Sequence, residues 1–132
     1  MLPQTTGKYI FVAPAASYTI DGNTYDSSDN NDGLSPERAM RTIDAGHNKL
    51  TASVGDVLVL LPGVHTVTAT VTLDTAGITI VGIPGSQKGP TEHGPGASVR
   101  CRCQITTSEA TGNIFTFTAA GDDVEIAYLH FN

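Results

Sequence analysis

Short apolar runs separated by Gly and Pro dominate the hydrophobic pattern of this chain. The first run lies at 9–12, and from residue 56 onward two further sets of three follow. These lie at 57–61, 67–73 and 78–83, and then at 99–105, 114–118 and 124–131. Thr, Val and Ile supply 37 of the 132 residues, and β-branched side chains favour a pleated backbone over a helix. The pattern predicts an all-β fold of many short strands.

One segment has a helical pattern instead. The run Ser35-Pro36-Glu37 combines a capping hydroxyl, a proline suited to the first helical position and an acid near the positive end of a helix dipole. Apolar residues then recur at helical spacing as far as Leu50. The sequence therefore predicts one helix over 36–50 with Ser35 as its N-cap.

The segment 21–33, which precedes this helix, is rich in Asp and Asn. An EF-hand calcium loop would explain that composition, but alignment on Asp32-Gly33 places Ser28 and Ala39 where the first and last calcium ligands belong. The composition favours a loop of Asx turns that leads into the helix.

A shift of 46 residues superimposes the two sets of apolar runs. It pairs Val57 with Cys103, Val71 with Phe117, and Ile80 with Ile126. Repetition of this kind is typical of a solenoid, in which stacked coils bury the inward side chains that one coil cannot bury alone. Each coil has about 30 residues once the polar stretch 84–98 is read as an inserted loop. In this register Val57 and Val59 face inward, as do the thiols of Cys101 and Cys103, which we expect to act as small buried hydrophobes.

These patterns divide the chain at residue 55. Residues 1–55 hold the first strand, the Asx-rich loop and the helix, whereas 56–132 hold the coils. The strand at 57–61 is apolar on both faces, so Leu58 and Leu60 need a cover, and we expect the helix and the strand at 9–12 to supply it as an N-terminal cap. No comparable cap follows the strand at 124–131, and we expect a partner or further coils there.

The charge balance and the longest apolar runs exclude two classes of partner. A net charge of −6 argues against a nucleic-acid-binding surface. No run approaches the roughly 18 apolar residues needed to span a membrane, and the N-terminal residues lack the basic start and apolar stretch of an export signal. We therefore expect neither nucleic acid nor membrane as a partner.

Candidate catalytic and metal-binding chemistry is sparse. The acids of the coil region fall mostly at turns; only Glu125 lies mid-strand and outward, opposite Thr79 rather than another acid. The histidines show no metal-ligand spacing, and we expect all four at the surface or in turns; they are His47, His65, His93 and His130. The sequence thus predicts no catalytic residue, metal or cofactor.

The inserted loop contains the candidate binding residues Lys88, Glu92 and His93, because per-repeat insertions in solenoids project from one face and often bind something.

Four segments carry a resemblance to a known superfamily. The run from Asp29 to Ile43, with its Gly-Leu-Ser-Pro-Glu core, and the run Gly-Asp-Val-Leu-Val-Leu-Leu-Pro-Gly at 55–63 resemble the N-terminal cap of right-handed parallel β-helix proteins of the pectate-lyase-like superfamily. The runs at 77–82 and 123–131 resemble its coils. The resemblance implies a right-handed parallel β-helix of about two coils with an N-terminal helix and strand cap.

This superfamily includes polysaccharide lyases, glycoside hydrolases, adhesins, and phage tailspikes and other virion proteins, so the fold does not select the function. Free thiols, an uncapped last coil and no evident carboxylate pair favour a virion structural protein: a tailspike, fibre or capsid-surface component for assembly or host-surface contact. The resemblance implies a virion location and a homo-oligomer, expected to be a trimer, with other virion proteins and polysaccharide as further partners. The alternatives are the N-terminal part of a polysaccharide lyase or glycoside hydrolase, and an extracellular adhesin or carbohydrate-binding module.

Overall fold

A computed structural model describes residues 7–83, 103–108, 114–118, 123–127 and 129–131. This part of the chain is mostly strand with little helix, which confirms the predicted all-β class. The strands are β1 (Tyr9–Val12), β2 (Ser17–Ile20), β3 (Asn23–Asp26), β4 (Val57–Leu60), β5 (Gly63–Val67), β6 (Val71–Leu73), β7 (Thr79–Gly82), β8 (Cys103–Thr107), β9 (Phe115–Phe117), β10 (Glu125–Ala127) and β11 (His130–Phe131). A 3₁₀ turn spans Pro36–Arg38, and the helix α1 spans Ile43–His47.

Nine of these strands form three parallel sheets. Their strand orders are β1-β4-β7-β10, β5-β8-β11 and β6-β9. The chain passes through the sheets in a fixed order: β4, β5 and β6 are followed by β7, β8 and β9, and then by β10 and β11. Each pass therefore adds one strand to each sheet that it reaches.

The predicted register is right in one sheet and wrong in the other two. Ile80 lies opposite Ile126, as the shift of 46 requires. Val71, however, pairs with Phe115 rather than Phe117, and Cys103 pairs with Gly63 rather than Val57. The cause is β5, which occupies a stretch that we predicted as a turn, so the stretch 57–83 contains four strands instead of three.

Two predicted strands are also split by corners. The run 67–73 contains the last residue of β5 and all of β6, and the run 124–131 contains β10 and β11. Within each run the backbone passes from one sheet to another. In the run 67–73 the alternating apolar positions include Ala69, which is exposed, so alternation along the sequence locates neither the corner nor every buried position.

The core consists of two apolar clusters, one on each face of β4. Leu58 and Leu60 belong to the cluster enclosed by the three parallel sheets, together with Ile80 and Ile105. Alternate residues of the same strand, among them Val59, belong to the second cluster on the opposite face of the four-stranded sheet. The predicted face of β4 was thus inverted, because a strand buried on both sides carries no alternation to orient it.

An antiparallel hairpin of β2 and β3 contributes to the second cluster. Its turn is Asp21-Gly22, with φ of 49° and 84°, as a two-residue type I′ turn requires. The Tyr18 hydroxyl donates to the Pro36 carbonyl at 2.6 Å and accepts from the Ala39 amide at 3.1 Å. We predicted only loop over 21–33, so this hairpin is a correction.

The single helix predicted over 36–50 is also wrong. Between the 3₁₀ turn and α1 the chain is extended, and Met40 forms an isolated parallel bridge to Val12. The Met40 amide donates to the Phe11 carbonyl at 2.8 Å, and its carbonyl accepts from the Ala13 amide at 2.9 Å. These tertiary hydrogen bonds take the backbone groups that a continuous helix would use.

The true N-cap of α1 is Thr42, whose hydroxyl oxygen accepts from the Ala45 amide at 3.2 Å. Ser35, the predicted cap, makes no side-chain capping bond to the 3₁₀ turn. The Asx-rich loop does contain the expected Asx turn, since the Asp32 carboxylate accepts from the Leu34 amide at 3.0 Å. Asp29 accepts from the amides of residues 41 and 42, both at 2.9 Å.

α1 packs against β1, β4 and β6. A Cβ atom added at Gly46 would lie 2.6 Å from Cγ2 of Val12 and 2.8 Å from Cδ1 of Leu58. The helix therefore lies against Leu58, in the cluster that the three sheets enclose. β1 continues the same sheet, with Tyr9 opposite Val57. No helix in the part of the chain described above is long and apolar enough to cross a membrane.

Candidate functional site

The predicted binding residues Lys88, Glu92 and His93 lie outside the residues that the structure describes, as does Cys101. Their roles stay predictions. Cys103 is fully buried, as predicted, with Sγ 3.7 Å from the Leu60 carbonyl oxygen.

Two histidines that we predicted at the surface or in turns are buried. His65 lies in β5 with 3% of its surface exposed, because the strand alternation turns it to the buried face. Its Nε2 lies 2.8 Å from the Leu61 carbonyl oxygen. Burial lowers the pKa of His65, and nearby Arg41 lowers it further, against the opposing effect of the Leu61 carbonyl. The imidazole is therefore held neutral as a donor to that carbonyl.

His47, in α1, is buried more completely, with 1% exposed. Its Nε2 lies 3.9 Å from Oδ1 of Asp74, and neither ring nitrogen has a hydrogen-bond partner among the described residues. A distance of 3.9 Å is too long for a direct hydrogen bond. His130 is in β11.

Asp56 is a buried carboxylate that links two segments of the chain. It is buried, and it accepts from the Lys8 ammonium at 2.7 Å, the Lys8 amide at 2.9 Å and the Thr51 amide at 2.7 Å. Burial opposes ionisation, but these hydrogen bonds outweigh it and lower the pKa of Asp56 below its usual value. The carboxylate thereby joins the start of β1 to the start of β4.

Glu125 is exposed in β10 opposite Thr79, as predicted. Among the described residues, no group of three or more His, Cys, Asp or Glu side chains is placed to hold a metal ion.

The most distinctive surface lies where the parallel sheets end. We call it the uncovered end, formed by β9, β10 and β11, which are the last described strands of their sheets. Leu58, Ile80 and Ile126 are in register across the four-stranded sheet, and the first two are fully buried. Ile126 is only partly buried, because within the described part of the chain no further strand lies over it.

Aromatic side chains lie on the other two strands of this end, β9 and β11. Phe115 and Phe131 meet edge to face, with ring centroids 5.8 Å apart and an interplanar angle of 84°. Phe117 is 55% exposed and Phe131 44% exposed. Large apolar side chains grouped beside unpaired strand edges are typical of interaction surfaces. From the sequence we expected a partner or further coils after the strand at 124–131, but we did not predict that phenylalanines would lie at this surface.

Comparisons of the chain with models of protein families, with curated protein sequences and with solved structures gave no match.

Proposed function

We propose that this protein is a structural component of a phage virion, in a tailspike, a fibre or the capsid surface. In this proposal the parallel sheets are coils of a right-handed β-helix of the pectate-lyase-like type, and the uncovered end is the surface used in assembly. The observation that carries the proposal is the contrast between an end closed by α1 and an end of apolar strand edges.

The connections between strands support the β-helix. Parallel neighbours within one sheet ordinarily need a long crossover, usually a helix. From β4 to β7 the connections are only residues 61–62, 68–70 and 74–78, and each leads to a different sheet before the chain returns to the first. Short corners with in-register parallel strands are the geometry of a solenoid.

The uncovered end supports the assembly role. Strand edges template pairing with another chain, and exposed apolar side chains add the burial that makes such pairing stable. A closed homo-oligomer, with the trimer as the expected form, would cover Phe117 and Phe131 in each copy.

The experiment is a measurement of molar mass by gel filtration with light scattering on the wild type, Phe117→Lys and Leu34→Lys. Leu34 is the matched control, because it is 58% exposed but lies in the loop that precedes the 3₁₀ turn. We expect the wild type and Leu34→Lys to have three times the 13.7 kDa mass of one chain, and Phe117→Lys to have the monomer mass. A monomeric wild type would contradict the assembly role.

Incubation with acidic and neutral polysaccharides tests the enzymatic alternative. The proposal expects no release of unsaturated or reducing ends. Release of either would replace it with a polysaccharide lyase or a glycoside hydrolase.

A further inference from the structure

A groove of about 300 Å³ lies between the start of α1 and the β5–β6 corner, away from the uncovered end. Residues 42–44 line one wall and residues 66–71 the other. A volume of this size is at the lower limit for a ligand pocket. The groove is therefore large enough for a short segment of a ligand rather than a whole cofactor.

One wall of the groove is a strand edge. β5 is the last strand of its sheet among the described residues, with β8 on its other side. The Val67 carbonyl accepts from the Ser108 amide at 3.1 Å, so Val67 directs its backbone groups toward β8 and its neighbour. Consecutive residues of a parallel strand direct these groups to opposite sides. The N–H and C=O of Val64 and Thr66 therefore point to the free edge.

The free edge faces the groove. In the four-stranded sheet, β7 lies on one side of β4, and β1 with α1 packed against it lies on the other side. The next strands along the chain keep this order, because β5 follows β4 directly and β8 follows β7. α1 therefore lies on the side of β5 that has no β8. Val64 is 51% exposed and Thr66 is exposed, so this edge is accessible to a partner.

The lining combines a floor of three apolar side chains with four threonines and one charge. Ile43, Val67 and Val71 are buried at 5%, 6% and 2% exposure. The Thr42 hydroxyl already donates to Asp29 at 3.0 Å. Asp44 is the one carboxylate among the described lining residues, and it is exposed.

We propose that this groove binds an extended peptide segment of a partner protein that carries a Lys or an Arg. The segment adds as a strand beside Val64 and Thr66, its apolar side chains contact the floor, and its cation lies against Asp44. Backbone donors and acceptors repeated every second residue match a peptide backbone, which is the basis of β-strand addition. The inference holds whether or not the protein is a virion component.

The test uses the full chain and three fluorescent pentapeptides, followed by fluorescence polarisation. The first is TVKVT; the second has the same sequence with its alternate amides N-methylated on the edge-facing side; the third, TVEVT, reverses the charge. We expect binding of TVKVT and at least about tenfold weaker binding of the other two, since one lacks the backbone donors and the other is repelled by Asp44.

Two variants of Thr66 separate backbone from side chain. Thr66→Pro removes the N–H that points to the free edge, where a proline is tolerated because β8 does not use that group. Thr66→Val keeps the N–H and changes only the side chain. We expect about tenfold weaker TVKVT binding by the first and a change within about twofold by the second. Asp44→Asn should remove the preference for TVKVT over TVEVT.

The N-methylated peptide keeps the proposal testable if Thr66→Pro fails to fold. Equal binding of TVKVT and its N-methylated form by the wild type would overturn strand addition. So would the absence of TVKVT binding at millimolar peptide. A neutral oligosaccharide that displaces TVKVT from the wild type and binds Thr66→Pro undiminished would replace the peptide with a saccharide as the ligand.

Discussion

Both ends of the stack of parallel strands have an apolar interior, but in the described part of the chain a helix covers only one of them. At one end the first strand, β1, packs against α1, and its Ile10 is only 1% exposed. At the other end Ile126, three strands along the same register, is only partly buried. A strand stack buries its inward side chains between neighbouring strands, but each end needs a separate cover. The closed end has its cover within this chain, and we propose that the uncovered end obtains one from another.

The largest expected effect comes from truncating the same ladder at its two ends. Ile10→Ala should lower the free energy of unfolding by about 2–5 kcal/mol, because Ile10 is almost fully buried in the strand that packs against α1 and its truncation leaves a cavity. Ile126→Ala should cost about 1–2 kcal/mol in the monomer, because its side chain is already partly solvated and its surroundings can relax. Urea unfolding at a concentration that disfavours association measures both, and equal losses would contradict the difference between the ends.

Gly46→Ala tests how tightly the cover fits. Helix propensity alone predicts that this change stabilises α1 by about 1 kcal/mol. The added methyl would instead clash with Val12 and Leu58, which are both fully buried, so we expect a net loss of about 1–3 kcal/mol.

Gly22→Asn is the control for Gly46→Ala. Gly22 has a φ of 84° with nothing within 4 Å of an added Cβ, and Asn tolerates that backbone region. Thermal unfolding should show little change for this variant. Stabilisation by Gly46→Ala would mean that α1 does not press against the strands.

As the pH falls, the free energy of unfolding should decrease first through His65 in β5 and only at lower pH through Asp56. The pKa of His65 is lowered in the folded protein, so the unfolded chain takes up the proton first and stability falls as the pH drops below the ordinary value of 6.5. The pKa of Asp56 is also lowered, so its contribution is lost only as the pH falls below about 3.8.

Denaturant unfolding between about pH 7 and pH 5 measures this for His65→Gln and Asp56→Asn. We expect His65→Gln to reduce the loss of stability over this range. Asp56→Asn should lower stability at every pH in the range, by about 2–4 kcal/mol, without changing the slope. A slope unchanged in His65→Gln would show that another group titrates there.

The sequence predicts the pairing of strands whose apolar positions recur in successive passes of the chain. Ile80 and Ile126 occupy equivalent positions in successive passes, so a shift of the sequence finds their register. It fails for Val57, because β5 was not predicted and Cys103 pairs with Gly63 in that strand instead. The helix predicted over 36–50 failed because a distant strand, β1, captures Met40, and local propensity contains no information about that bond.

Other features had a local signal that went unused. Asp21-Gly22 is a strong hairpin turn, and it lies between residues that alternate between polar and apolar. The groove, by contrast, has only the alternating threonines at 66, 68, 70 and 72 as a sign. The edge of β5 in this groove is free because α1, rather than another strand, lies on that side of it. This arrangement depends on the assembled fold and has no local sequence signal.

Hydrogen exchange followed by mass spectrometry at a low and a high protein concentration tests the difference between the two ends most directly. We expect the amides of β1, Tyr9–Val12, to be equally protected at both concentrations. We expect the amides of β10, Glu125–Ala127, to exchange rapidly in the dilute protein and to become protected in the concentrated one. Protection of β10 that equals that of β1 at both concentrations would contradict the proposed difference, because the uncovered end would then need no partner.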